Sequence, residues 1–383
     1  MRVTHVEAIP VVVPAREHTI HSSSLNDPLH MSPVNGADAW TIQFDTLPKY
    51  ILRLHTDTAI IGVGETYRAV DSATVEGIAR GLVGRDPMQL NLWDLPIPRC
   101  REYDGFEIAL FDIVGKKLQV PAYQLLGGAY RDRVLVSAWT GRRTVSEAVD
   151  RARTAHDAGY GCLKFKTSLE DDVVAWCQGI RNACGAEFQV LLDPNQRWQR
   201  PALALSRLRA LEQIGNVLAV EDPVPRWNLK WYRWLREKTD IPIALHVHLP
   251  YGSQGQSITD ALEAIERDAV DYFNFGGAMA DVKRLSIIAD AAGISYWHGS
   301  EVDLGILEAS YLHAAAAMRN CTLPSDIFGE SIRTDDLVTS PLSPAADGCV
   351  PVPQRAGLGV ELDEEALQRY RATSRELPGI DVG

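Results

Sequence analysis

The chain has 383 residues, 46% hydrophobic and 23% charged, with a formal net charge of −12 at pH 7. That balance excludes general disorder, and the acidic excess argues against a nucleic-acid backbone as partner. No apolar run reaches the roughly 18 residues of a membrane helix. The start, MRVTHVEAIPVVVPAREH, lacks a cleavage site and its apolar patch is interrupted by Glu7, so a cytoplasmic protein with no membrane partner is expected. Six cysteines form no C-x-x-C pair and are expected to be reduced.

In chain order, RVTHVEAIPVVV and YILRLHTDTAIIGVGETY read as antiparallel strands, the second with a Thr-Asp-Thr turn. Between them lies the polar stretch His21–Trp40, long enough for a functional loop or a disordered one. EIALFDIVGKKLQ from Glu107 reads as a helix stopped before Pro121. From Val134 onward, short β-forming runs begin at Val134, Cys162, Gln189, Val217, Pro242, Asp271 and Ile294, about 23 to 29 residues apart. Helical periodicity fills the intervals, as in SEAVDRARTAHDAG with its capping residues and PALALSRLRALEQIG with Pro at the start and Gly at the end. Further helices are expected at Glu170–Gly185, Ile258–Ala269, Met279–Gly293 and Leu304–Met318.

Strand, helix and strand at this interval imply parallel strands with right-handed crossovers. Seven strands and a weaker eighth near Asn320–Leu323 predict an α/β fold, a modified TIM-like (β/α)8 barrel. An open doubly wound sheet is the rival, but no G-x-G-x-x-G follows the first strand. The expected division is an α+β capping domain over residues 1–130, a barrel over 131–345, and a segment 346–383 that packs back on the cap.

Barrel chemistry sits at the C-terminal ends of the strands. There the runs finish in Lys164 and Lys166, Asp193, Glu221, His246 and His298. Asp193 and Glu221, on adjacent strands, repel unless a cation lies between them, and a hard divalent ion such as Mg²⁺ suits two carboxylates. The alternative is that each carboxylate caps a helix or makes a salt bridge. Lys164 and Lys166 share one strand face, and crowded ammonium groups depress each other's pKa toward a neutral amine that can take a proton.

These residues resemble the enolase superfamily, in its mandelate racemase and muconate-lactonising group. The likeness rests on Glu107–Gly128, AGYGCLKFK, LLDPNQRW, VEDPVP, LPSDIFGE and AGLGVELDEEAL. It implies a capped barrel, an essential Mg²⁺, and removal of the proton α to a carboxylate. Carried over by position, Asp193 and Glu221 are metal ligands, Lys166 is the base and Lys164 tunes it and contacts the substrate carboxylate. Asn195 lies where the family places a polar residue beside the metal. Asp326, in LPSDIFGE, is expected at the substrate.

Two departures stand out. The fifth strand reads Ile243–Ala244–Leu245–His246–Val247–His248 and lacks the third ligand's carboxylate. His246 is the expected substitute, with His248 as runner-up. The alternative makes His246 a substrate contact beside a metal with two protein ligands. An imidazole leaves the site one negative charge short, which implies weaker Mg²⁺ binding and a turn toward Mn²⁺ or another softer ion. On the sixth strand, glycine stands where the muconate-lactonising branch has lysine and the racemase branch aspartate. His298 occupies the racemase-type place on the seventh strand, with Glu301 as its candidate orienting partner.

The expected reaction is therefore dehydration of a hydroxy (sugar) acid, with Lys166 taking the α-proton and His298 protonating the departing hydroxyl. Racemisation or cycloisomerisation of a carboxylate is the alternative, and a catalytically inactive member that binds a ligand or serves structurally is another. The partners expected are a small carboxylate substrate, met in part by His21, Asn26 and His30 of the polar loop, and further copies of the chain in a homo-oligomer.

Overall fold

A computed structural model describes residues 1–20, 22–25, 47–247, 256–373 and 377–383. His21, Asn26, His30 and His248 lie outside these described residues. The chain opens with β1 (Val3–Val11), β2 (Lys49–Thr56) and β3 (Ile61–Glu65), paired antiparallel in sequence order. Alternation divides the sheet's two faces. Val6, Ala8, Leu52 and Leu54 point into a core shared with α1 (Ser72–Leu82) and α2 (Tyr103–Leu118). Sequence reading passes over α1, although Asp71 caps it by accepting a hydrogen bond from the Thr74 N–H at 2.8 Å. Strand β3 lies so close to α2 that a Cβ on Gly64 would stand 2.1 Å from the Gly105 carbonyl oxygen.

The expected run from Val134 divides in two: β4 (Arg133–Leu135) leaves the barrel, and β5 (Ala138–Thr140) enters it. The repeat continues through α3 (Val145–Asp157), β6 (Cys162–Lys166), α4 (Val173–Cys184), β7 (Gln189–Asp193), α5 (Pro201–Glu212), β8 (Val217–Glu221) and α6 (Leu229–Arg236). It then runs through β9 (Ile243–Val247), α7 (Ser257–Glu266), β10 (Tyr272–Phe275), α8 (Met279–Ala291), β11 (Ser295–His298) and α9 (Gly305–Ala316). Strands β5 to β11 form one parallel sheet in sequence order. The eighth place is taken by residues 321–325, which make single parallel bridges, Cys321 to Tyr296 and Ser325 to Val136. The short α10 (Gly329–Ile332) follows.

The tail returns to both parts of the molecule. Strand β12 (Cys349–Pro351) pairs antiparallel with β4. After α11 (Glu364–Arg369), β13 (Ile380–Val382) adds to the edge of the first sheet beside β1.

Buried carboxylates lock the cap to the barrel. Glu107 of α2 accepts hydrogen bonds from the backbone N–H groups of Met279 (2.7 Å) and Ala280 (3.1 Å), capping α8 from another element. Glu65, at the end of β3, accepts from the N–H groups of Leu304 and Leu307 at the start of α9 and pairs with Lys49 at 2.6 Å. Replacing Glu107 leaves two buried donors unmet. Glu107→Ala is expected to lower the unfolding free energy by about 2–3 kcal/mol in urea denaturation; a loss under about 0.5 kcal/mol would contradict this docking role.

Candidate active site

Register places the polar side chains. Lys166 stands opposite Asp193, and Lys164 opposite Leu191. On the next pair Leu191 stands opposite Ala219 and Leu192 opposite Val220, which brings Asp193 level with Glu221. His246 stands opposite Asn274, and Asn274 opposite Trp297. Lys164, Lys166, Asp193, Glu221, His246 and Asn274 share the inward face with a plug that includes Cys162, Leu191, Ala244 and Trp297.

Lys164 is the centre of the group. Its ammonium donates to Glu221 Oε2 at 2.7 Å and Asp326 Oδ2 at 2.7 Å, and lies 3.5 Å from Asp193 Oδ2. Lys166 donates to the same Asp193 oxygen. Glu221 Oε1 accepts from the Asn274 amide at 3.0 Å and faces His246 Nδ1 at 3.2 Å. Asp193 Oδ1 accepts from the Asn195 backbone N–H at 3.0 Å. Asn195 thus meets this carboxylate through its main chain.

Charge follows from this packing. Burial opposes the Lys164 charge, but Asp326, Glu221 and Asp193 outweigh it and raise its pKa well above the lysine range. Lys164 is therefore a charged companion beside Lys166, held so by the three carboxylates around it. Burial also opposes the Glu221 charge, yet Lys164 and His246 hold its pKa well below the usual value. Burial raises Asp326 to about 6 despite Lys164. Burial lowers the His246 pKa, which keeps the imidazole neutral at pH 7.

A second carboxylate supports the first from behind. Asp222 accepts from the His246 backbone N–H and the Tyr232 hydroxyl, each at 3.2 Å. Asn195, Gln196 and Asp222 all have positive φ (45°, 69° and 44°), just past the ends of two strands, a conformation most costly at Gln196. Gly299 leaves room for the Asn274 amide: a Cβ there would stand 2.3 Å from Asn274 Oδ1.

Two sequence expectations are corrected. His298 pairs in register with Phe275 and shares its outward parity. Its ring packs 4.4 Å from Tyr311 of α9, and Nδ1 lies 2.7 Å from the Gly299 carbonyl oxygen. Strand alternation gives the inward position to Trp297, whose ring centre is 5.8 Å from Lys164 Nζ. Glu301, the expected orienting partner of His298, is held by arginines. Arg101 grips both its carboxylate oxygens, and Arg68 lies 3.9 Å away. The contributions of Asn274, Trp297, Asp222 and Gly299 were missed.

Residues 147–366 match the family described as Enolase C-terminal domain-like. The chain belongs to that family and, within the enolase superfamily, to the mandelate racemase and muconate-lactonising group. It is similar to an N-succinyl-L-Arg/Lys racemase of Bacillus cereus, 27% identical over 355 residues that cover 85% of this chain and 90% of the relative. The solved structure of N-succinyl Arg/Lys racemase from Bacillus cereus superposes with a TM-score of 0.80 at 24% identity, covering 100% of both chains. A chloromuconate cycloisomerase of Cupriavidus pinatubonensis is 27% identical, covering 85% of this chain and 92% of the relative. A D-xylonate dehydratase of Haloferax volcanii is 26% identical, covering 86% and 87%. The chain is an enzyme of the lyase or isomerase class. No helix among the described residues is long and apolar enough to cross a membrane.

Removing Lys164 would strand buried carboxylates. Lys164→Met is expected to cost about 3–5 kcal/mol of stability at pH 7. Glu221 with a depressed pKa stabilises the fold above the unfolded carboxylate pKa and loses that contribution as pH falls. In the variant its pKa should rise, so the deficit should shrink below about pH 5. Denaturation curves at pH 7 and pH 4.5 check this; a deficit that grows on acidification would contradict it.

Proposed function

We propose that the enzyme removes the proton α to a substrate carboxylate, and that the specific reaction is dehydration of a hydroxy acid of the sugar-acid type. The observation that carries this reading is the gathering of Lys164, Lys166, Asp193 and Glu221 at adjoining strand ends in one mouth. Superfamily members generally use a divalent metal, usually Mg²⁺. The donor set, two level carboxylates and a buried imidazole kept neutral, fits a divalent ion and suits Mn²⁺ better than Mg²⁺. Asp193, Glu221 and His246 would hold it, and Lys164 and Lys166 compete with it for the same carboxylate oxygens. When bound, it supplies positive charge against the second negative charge that develops on the substrate carboxylate.

Lys166, more exposed than Lys164, takes the α-proton at Nζ. Lys164 stays protonated under its three carboxylates and donates toward the substrate carboxylate. On the facing strand ends, β10 and β11 present Asn274 and Trp297 inward. An outward His298 leaves the lysine side as the source of the acid too. The proton on Lys166 then passes to the β-hydroxyl, the C–O bond breaks, water leaves and a double bond forms between the α and β carbons.

This one-sided arrangement favours syn elimination over racemisation, which needs a second group on the opposite face. The racemase and the cycloisomerase among the relatives keep proton transfer without elimination as the competing reading. Lys166→Ala should abolish exchange of the substrate α-proton with solvent deuterium, measured by NMR with Mg²⁺ and then Mn²⁺ over a panel of acid sugars and N-acylated amino acids. Exchange that persists in the variant would overturn the base assignment, and racemic product from the wild type would overturn dehydration. His298→Gln is expected to keep exchange within about threefold of wild type; complete loss in a folded variant would contradict its outward placement.

A further inference from the structure

We infer that the outer face of the cap sheet is a binding site for a divalent transition metal, formed by His5 and Glu7 of β1 and His55 of β2. His5 and His55 are directly paired across the strands. Their rings stack with centroids 5.1 Å apart at 23°. Glu7 follows His5 by two residues and so shares its face, and its Oε2 lies 3.4 Å from His55 Nε2. One ligand atom from each of the three lies within 4.8 Å of the others, the only such group of three among the described residues. His55 Nε2 is buried without a hydrogen-bond partner.

Asp381 of β13 lies beside the group, outside the set of three. It stands opposite Glu7 and contacts His5 Nε2. Two imidazoles and one carboxylate match Zn²⁺ or a similar borderline ion in tetrahedral coordination, with the fourth position open, and do not suit Mg²⁺. The guanidinium of Arg53 lies 3.8 Å from Glu7 but is held by Glu364, so Glu7 can turn to a cation without leaving Arg53 unpaired.

Such an ion would act on the fold. Strand β13 is three residues long and sits at the sheet edge. A metal joining β1 and β2 would fix the His5 ring, and the contact of His5 with Asp381 would carry that restraint to β13.

The test uses the full chain, stripped with a chelator and titrated with Zn²⁺ against a chromogenic competitor. Wild type should bind one equivalent more than His55→Gln or His5→Gln, whereas Glu221→Gln should keep that equivalent. Zn²⁺ should also slow amide exchange in residues 380–382 at least tenfold in wild type and leave the His55→Gln rate unchanged. Equal stoichiometry in wild type and both histidine variants, or unchanged exchange in wild type at saturating Zn²⁺, would mean that the cluster is only a set of imidazole–carboxylate pairs and would overturn the inference.

Discussion

A single ammonium group, that of Lys164, meets carboxylates from three other segments of the barrel: Asp193, Glu221 and Asp326. Each of these carboxylates is buried, and none is tolerable there without a nearby cation. The strands must therefore end at matched heights, and they do, with Lys166 level with Asp193 and Asp193 level with Glu221. A buried ion cluster is poor as a source of stability, because desolvation cancels most of the attraction. Its presence, beside left-handed backbone at Asn195, Gln196 and Asp222, fits a chemical role better than a stabilising one.

The same logic orders the rest of the molecule. The cap is fixed over the barrel by carboxylates on backbone N–H groups, Glu107 at α8 and Glu65 at α9. These contacts use the exposed donors at helix starts, so the two parts dock by satisfying groups that would otherwise be left unbonded. Arg101 and Arg68 complete the junction by holding Glu301.

Much of this was legible in the sequence, for a physical reason. Parallel barrel strands are buried on both faces, so a polar residue at the end of an apolar run stands out. That is how Lys164, Lys166, Asp193, Glu221 and His246 could be picked, and they do converge. The same rule misled at His298, because a run's last residue need not face inward. The parity that puts Phe275 and Tyr296 outward also puts His298 outward, and Trp297 and Asn274 inward. Spacing alone could not reveal that Glu301 would be captured by Arg101, which lies 200 residues earlier in the chain. The division of the Val134 run into β4 and β5 was equally hidden, since the partner of β4 comes from the tail.

The inward set is lopsided: lysines on β6, and an amide and an indole on β10 and β11. Under the proposed function that lopsidedness selects the reaction, and a divalent ion would have to take the oxygens that the lysines now hold. Anomalous diffraction from crystals soaked in Mn²⁺ tests this point most directly. The account predicts one peak at the barrel mouth bonded to Asp193 and Glu221, with His246 turned toward it and Lys166 released from Asp193. A mouth without an ion at saturating Mn²⁺, with both ammonium groups still on their carboxylates, would contradict it.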